Sequence, residues 1–410
     1  PIVYAIGIAS LADFFYLGIN PMQMALKFVG NLNSYTLLAV PFFILLGELM
    51  SAGGITDTLI DFSTELVGWF RGGAAMVNVV ASFFFGGISG SSSAEWASLG
   101  PIEIKIMEDQ GYDKDFATCL TMASSVEGIL VPPSQNMVIF TLAASGVTSV
   151  SIGLLFLAGY VPCAVRSVVL MVYSYYVSVK MNYPVTGRFD LRACLRAFSR
   201  AVWGMLSVLF VVVGVITGVF TTTESAACAV VWSLVVGLFI YKGFSFKDIP
   251  HIFNNVTMTL GKVLILLGVS GAFTYLLTYL KVPSIVSEAL FGLTDNKILI
   301  LIRLNILMLL LGGRIGMACR ILMLKPVILP IWMSLGLSPI HLGVVMVLNL
   351  GIGLLTPPVG STLFIGSAIS GIKIEKLAKS MIPFYIVMGI ALIILTYFPQ
   401  SFMWLPNMAI

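Results

Sequence analysis

Two ten-residue segments carry the most telling chemistry. VPPSQNMVIF at 131–140 and TPPVGSTLFI at 356–365 each set a Pro-Pro pair inside an apolar run long enough to cross a bilayer. Adjacent prolines remove two backbone donors and leave upstream carbonyls without partners. In hydrocarbon, broken backbone persists only against protein, water or a ligand. A cation would satisfy the freed carbonyls. Gly128-Ile129-Leu130-Val131-Pro132-Pro133 and Gly353-Leu354-Leu355-Thr356-Pro357-Pro358 are therefore two candidate Na⁺-binding breaks, with Thr356 adding a hydroxyl. The plainer alternative is a pair of structural kinks.

The other chemistry lies at two glycine-rich turns. Gly86-Gly87-Ile88-Ser89-Gly90-Ser91-Ser92-Ser93, next to Ala94-Glu95, combines backbone freedom with four hydroxyls, which are neutral oxygen ligands. Its counterpart, Gly312-Gly313-Arg314-Ile315-Gly316-Met317-Ala318-Cys319-Arg320, brings charge instead. Arg314 and Arg320 in an otherwise apolar stretch point to an organic anion as counter-charge, with internal pairing to Glu95, Glu103 or Glu127 as the alternative. Glu48, Arg166 and Lys262 are further charges in apolar surroundings, paired or at helix ends. Thr221 with Glu224 fits a capping box that opens the following helix.

These features recur at a fixed distance. Gly87 and Gly312, Pro101 and Pro326, Gly111 and Gly336, Gly128 and Gly353, Pro132 and Pro357, Pro133 and Pro358, and Gly146 and Gly371 are all 225 positions apart. Upstream the register slips, since ILLG at 44–47 answers ILLG at 265–268. Five crossings between equivalent points would give the two copies opposite orientations. Such an inverted repeat is the usual architecture of secondary transporters.

The elements that must position these residues are helices in a membrane. Of 410 residues, 59% are hydrophobic and 10% charged, against about 25% charged in a soluble chain. Apolar runs near 1–19, 35–53, 117–144, 150–179, 202–220, 224–241, 258–280, 341–368 and 382–398 read as spans. Stretches 74–102 and 298–330, interrupted by Gly-Gly and small or charged residues, read as re-entrant hairpins. Residues 56–70, with Asp57, Asp61 and Glu65 on one stripe, and 191–203, with Arg192, Arg196 and Arg200, read as interfacial amphipathic helices. Lys and Arg concentrate in the loops near 180–200, 242–247 and 373–379, which places these inside, the chain's first residues inside and its C-terminus outside. Lys27, Lys281 and Lys297 fall on the outer side.

Several functions drop out. A net charge of +4 is too small and dispersed for a nucleic-acid partner. The five cysteines lie singly in apolar segments and read as buried small hydrophobes. Two histidines without neighbouring ligands do not make a metal hydrolase. There is no Walker-type motif to use ATP. The apolar start at Pro1, without a Met, reads as a first span missing part of its length.

At these residues the chain resembles the large membrane subunit of the tripartite ATP-independent periplasmic (TRAP) transporters. GELMSAGG (47–54), GGISGSSSAE (86–95), QGYDKDFATCLTMASS (110–125), VPPS (131–134), TTTESAA (221–227) and LNLGIGLLTPPVG (348–360) follow in family order. The resemblance implies an all-α, inverted-repeat, elevator-type, Na⁺-coupled importer of organic acids in the bacterial inner membrane, using neither ATP nor a transition metal. Expected partners are a small four-helix membrane subunit, separate or fused, and a periplasmic substrate-binding protein.

By the same resemblance a first Na⁺ site falls on Ser89, Ser91, Gly128, Val131 and Pro133, and a second on Gly312, Gly353, Thr356 and Pro358. Substrate-binding candidates are Ser92, Ser93, Glu95, Arg314 and Arg320. The chain departs from the family pattern at Gly316, where an acidic residue is common, at Arg314, Arg320 and Lys325, and at Glu127. The expected organisation is scaffold at 1–73, a first transport unit at 74–148, scaffold and linking helices at 149–297, a second transport unit at 298–371 and a C-terminal helix at 372–410. A stand-alone Na⁺/carboxylate symporter is the nearest rival. An ion channel and an integral-membrane enzyme are more distant ones.

Overall fold

The computed structural model describes the chain except residues 1, 34, 145–146, 186–188, 293–295, 313–315, 358–359 and 409–410, and gives backbone alone at 2, 35, 36, 93, 94, 97 and 290. Every regular element among the described residues is helical, as hydrocarbon requires of a backbone that must satisfy its polar groups locally.

α1 (Ile2–Tyr16) and α2 (Met22–Leu32) lead into α3 (Ala39–Ala52), which turns by 72° into α4 (Ile55–Val67). The turn uses Gly54 at φ +76°, a left-handed conformation open to glycine without strain. A first hairpin follows, from α5 (Gly73–Ser89) through α6 (Ser92–Ser98) to α7 (Gly100–Asp109). A helix broken twice comes next, as α8 (Lys114–Ser124), α9 (Glu127–Leu130) and α10 (Gln135–Ala144), and then the long α11 (Ile152–Lys180). α12 (Leu191–Ile216), α13 (Thr222–Val235) with a π-helical end at Val236–Ile240, α14 (Ile249–Tyr279) and α15 (Val282–Phe291) form the middle of the chain. The first pattern then returns: hairpin α16 (Lys297–Gly312) and α17 (Met317–Ser334), broken helix α18 (Pro339–Leu355) and α19 (Ser361–Ser370), and closing helices α20 (Ile374–Ser380), α21 (Ile382–Tyr397) and α22 (Gln400–Asn407).

Among the described residues, five helices are long and apolar enough to span a membrane, and two bent pairs add to them. α11, α12 and α14, at 29, 26 and 31 residues, extend about 44, 39 and 46 Å, more than the ~30 Å hydrocarbon core. Their outer faces carry exposed Val168, Val172, Leu209, Val213 and Phe253. The protein is a multi-pass membrane protein.

Two expected boundaries are corrected. The basic stretch 191–203 is not a separate interfacial helix but the first half of α12. Cys194, Ala197, Ala201 and Gly204 keep one small-residue face buried across the expected boundary, so nothing breaks the helix there. Arg192, Arg196 and Arg200 are exposed on it. The expected span at 258–280 likewise begins at Ile249. In contrast, 56–70 does form its own amphipathic helix, α4, with Leu59, Ile60 and Phe62 buried and Asp57 and Asp61 exposed. The Thr221–Glu224 capping box is present with both reciprocal bonds.

The two units interlock. α10 of the first packs on α17 and α18 of the second, while α19 of the second packs on α6 and α8 of the first. α1 to α4 pack with α12 to α14 around this pair. α11 packs on α5, α9, α18, α21 and α22, and also on α12.

Candidate cation and substrate site

The first break faces the first hairpin backbone to backbone. A methyl group on Gly86 would lie 2.9 Å from the Glu127 carbonyl, one on Gly87 3.1 Å from Pro132 O, and one on Gly90 3.3 Å from Pro133 O. From the other side, a methyl on Gly128 would meet Ser91 O at 3.0 Å and Glu95 Oε2 at 2.5 Å. At Gly86 and Gly128 a side chain would push backbone apart, and the carbonyls of Ser91, Pro132 and Pro133 each lie close to one of the glycines of this contact. Ser89 is buried with its hydroxyl turned to the Ser91 backbone at 3.4 Å, and the Val131 side chain lies against Gly87. All five residues of the expected first site are therefore neighbours, and their oxygens are the hard, neutral donors that an alkali cation takes.

The second break repeats the close glycine contact. A methyl on Gly353 would lie 2.5 Å from Gly312 Cα and 3.1 Å from Gly312 O, so α16 ends directly on α18. Thr356, half-exposed, donates its hydroxyl to Ile352 O at 2.9 Å, and its N–H reaches Gly353 O at 3.2 Å. Gly312, Gly353 and Thr356 come together; Pro358 lies outside the described residues.

The expected substrate residues are placed less uniformly. Ser92 is buried with its hydroxyl 3.2 Å from that of Ser125. Glu95 is 1% exposed, its carboxylate lying against the Gly128 backbone and Ser82 without a hydrogen bond of full geometry. Arg320 is 2% exposed and donates to Leu350 O at 3.1 Å, tying α17 to α18 three residues before Gly353. Arg314 and the Ser93 side chain lie outside the described residues.

Glu127 is matched with Arg166. The two approach to 2.7 Å with both side chains buried. Ser167 donates to Glu127 Oε1 at 3.0 Å, and Arg166 also contacts Ala123 O.

Two further contacts went unread in the sequence. The Tyr160 hydroxyl donates to Pro132 O at 3.1 Å, and that of Tyr385 to Leu355 O at 2.6 Å. These tyrosines are themselves 225 positions apart, so the repeat contained the signal. Ser124 donates to Asn78 Oδ1 at 2.7 Å, and Asn349, its equivalent at the same spacing, donates to Asn305 Oδ1 at 2.8 Å. Of the cysteines, four are buried as expected, whereas Cys228 is exposed on α13.

Two hairpins set against two broken helices define a class of multi-pass helical membrane protein. A family profile described as "Tripartite ATP-independent periplasmic transporter, DctM component" matches residues 1–401, and the chain belongs to that family, the large membrane subunit of TRAP transporters. It is 36% identical to the C4-dicarboxylate TRAP transporter large permease protein DctM of Pseudomonas aeruginosa, over 94% of this chain and 89% of that one. It is 34% identical to the isethionate TRAP transporter permease protein DctMQ of Oleidesulfovibrio alaskensis, over 97% of this chain and 62% of that longer protein. The YdaH transporter of Alcanivorax borkumensis has the same fold, with a TM-score of 0.72 at 13% identity over 99% of this chain and 98% of that one.

Proposed function

We propose that the protein imports a small organic acid, a carboxylate or sulfonate, across the bacterial inner membrane by Na⁺ symport. The observation that carries this reading is the pairing of a glycine hairpin end with a backbone break, Gly87 with Pro132 and Gly312 with Gly353. Tyr160 already donates to Pro132 O, but a carbonyl has a second lone pair, and at membrane depth a cation from the outside would satisfy it without a charged ligand. The two relatives above are named for a dicarboxylate and a sulfonate, which fits an anionic cargo. A periplasmic binding protein would deliver the acid, and a small four-helix subunit, separate or fused, would brace α1 to α4 and α12 to α14. The hairpin-plus-broken-helix units would move as the elevator.

Coupling makes the import uphill. Two Na⁺ with one monoanion carry one net positive charge inward, worth ~2.3 kcal/mol per 100 mV.

The test is uptake of labelled organic acids into proteoliposomes holding this chain and its small subunit, with and without a Na⁺ gradient and a cognate binding protein. Uptake requiring both is expected, and Thr356→Ala should weaken Na⁺ activation. Uptake driven by Na⁺ without the binding protein would favour a stand-alone symporter. Uptake indifferent to Na⁺ would sink the proposal.

A further inference from the structure

Between α2, α14, α15 and α17 lies a cavity of about 630 Å³, separate from the hairpin-and-break contacts. α14 and α17 pack on each other beside it, so it lies where a helix from the middle of the chain meets the second hairpin. Thr274, Thr278 and Lys281 place it near the end of α14 remote from the basic 242–247 loop. With that loop inside, the cavity faces the outer side of the membrane.

Two polar groups on its wall are buried without a partner. Lys325 of α17 is 1% exposed and, among the described residues, is in no ion pair. Ser270 of α14 is 2% exposed, and its hydroxyl makes no hydrogen bond among the described residues, whereas those of Ser178 and Thr278 donate to the helix carbonyl four residues back. An ammonium withdrawn from water without a counter-charge is costly, and a stranded hydroxyl adds to the cost. One negative ion between them would satisfy both, because each offers a donor. No Asp or Glu is among the described lining residues to supply that charge from within. Lys27 and Lys281, exposed at the edge of the cavity, are hydrated and need no such partner, but their charge raises the local concentration of anions.

We propose that Lys325 and Ser270 hold one small monovalent inorganic anion, chloride, drawn from the outer side. The kind of donor selects it. Planar acid groups are best gripped by the two-pronged guanidinium of arginine, whereas an ammonium is a compact point charge with freely turning donors and suits a spherical ion. One unmatched buried charge calls for a singly charged ion. Held between Ser270 of α14 and Lys325 of α17, the chloride pins the second hairpin to the middle helices. The site shares no residue with the expected cation and cargo sites and does not depend on which acid is carried.

The test follows the thermal midpoint of the complex of this chain with its small subunit, purified in detergent, as NaCl replaces the Na⁺ salt of HEPES at constant Na⁺. Chloride should raise the midpoint saturably, by about 2 °C or more, and radiolabelled chloride should bind at one ion per complex. Lys325→Met should abolish the shift and, in chloride-free buffer, melt no lower than the wild type, because it removes the unmatched charge. If Lys325→Met does not fold, Ser270→Ala carries the test and should raise the half-saturating chloride concentration about fivefold, the worth of one hydrogen bond. A midpoint indifferent to chloride overturns the proposal, as does a chloride shift that survives in Lys325→Met, or in Ser270→Ala at unchanged half-saturation. So does displacement of the labelled chloride by equimolar isethionate or succinate, which would make the cavity a site for an organic acid group, or by phosphatidylglycerol in nanodiscs, which would make it a lipid-headgroup site.

Discussion

At the scale of single residues, the candidate cation sites depend on side chains that are absent. Gly312 and Gly353 touch through their backbones, and the methyl of Gly353→Ala would sit 2.5 Å from Gly312 Cα. Backbone cannot swing aside as a long side chain can, so the two helices must part. We expect a loss of about 1–3 kcal/mol of stability, read as a lower thermal midpoint in detergent, together with weakened Na⁺ activation; a wild-type midpoint and Na⁺ response would show that the contact is loose. The buried pair Glu127–Arg166 is held differently. Removing one partner strands a buried charge, so Arg166→Met should cost about 3–5 kcal/mol, while Arg166→Met/Glu127→Leu should recover most of it. A double variant no more stable than the single one would mean that the pair holds the break in place by more than charge balance.

Among elements, the polar latch between each hairpin and its broken helix sets how the halves of a unit meet. In the first unit Asn78 of α5 donates to Glu103 at 2.8 Å and to Thr121 at 2.7 Å, and accepts from Ser124. In the second, Asn349 of α18 reaches Asn305 of α16, which itself bonds Leu301 O and Thr396. Each asparagine has three partners, but all three of Asn78 are buried side chains and it is itself buried, whereas Asn305 is half-buried and spends one bond on the helix carbonyl of Leu301, so the loss of Asn78 strands more polar groups. Asn78→Ala should destabilise by about 1–3 kcal/mol and by more than Asn305→Ala, measured as the difference between their thermal midpoints. Equal effects would mean that Glu103 and Thr121 find other partners. The continuity of α12 belongs to this scale as well, because its buried small residues repeat every three or four positions and carry one helix from the basic loop into the membrane.

For the whole molecule, the charge of the cargo against that of the coupled ions decides whether transport responds to voltage. Two Na⁺ with a monoanion carry net charge, whereas two Na⁺ with a dianion carry none. If the cargo is a dianion at that stoichiometry, an imposed K⁺ diffusion potential should leave initial uptake by proteoliposomes unchanged within error; a potential worth ~2.3 kcal/mol per charge per 100 mV should shift it if a third Na⁺ is carried. Stimulation by an inside-negative potential would therefore raise the ion count.

Much of this protein was legible in its sequence because local chemistry dictates it. Apolar length forces helices, two prolines force a break, glycines mark close approach, and repetition at 225 positions announces two copies of one unit; the particular set Ser89, Ser91, Gly128, Val131 and Pro133 was what the family resemblance implied. Partnership across the chain was another matter. Arg166 meets Glu127 across 39 positions, Tyr385 caps a carbonyl 30 residues away, and the lysine cavity draws Lys27, Lys281 and Lys325 from three distant segments. A one-dimensional pattern records which groups need partners; only packing in three dimensions, where helices of different units share a face, decides which partner each one meets.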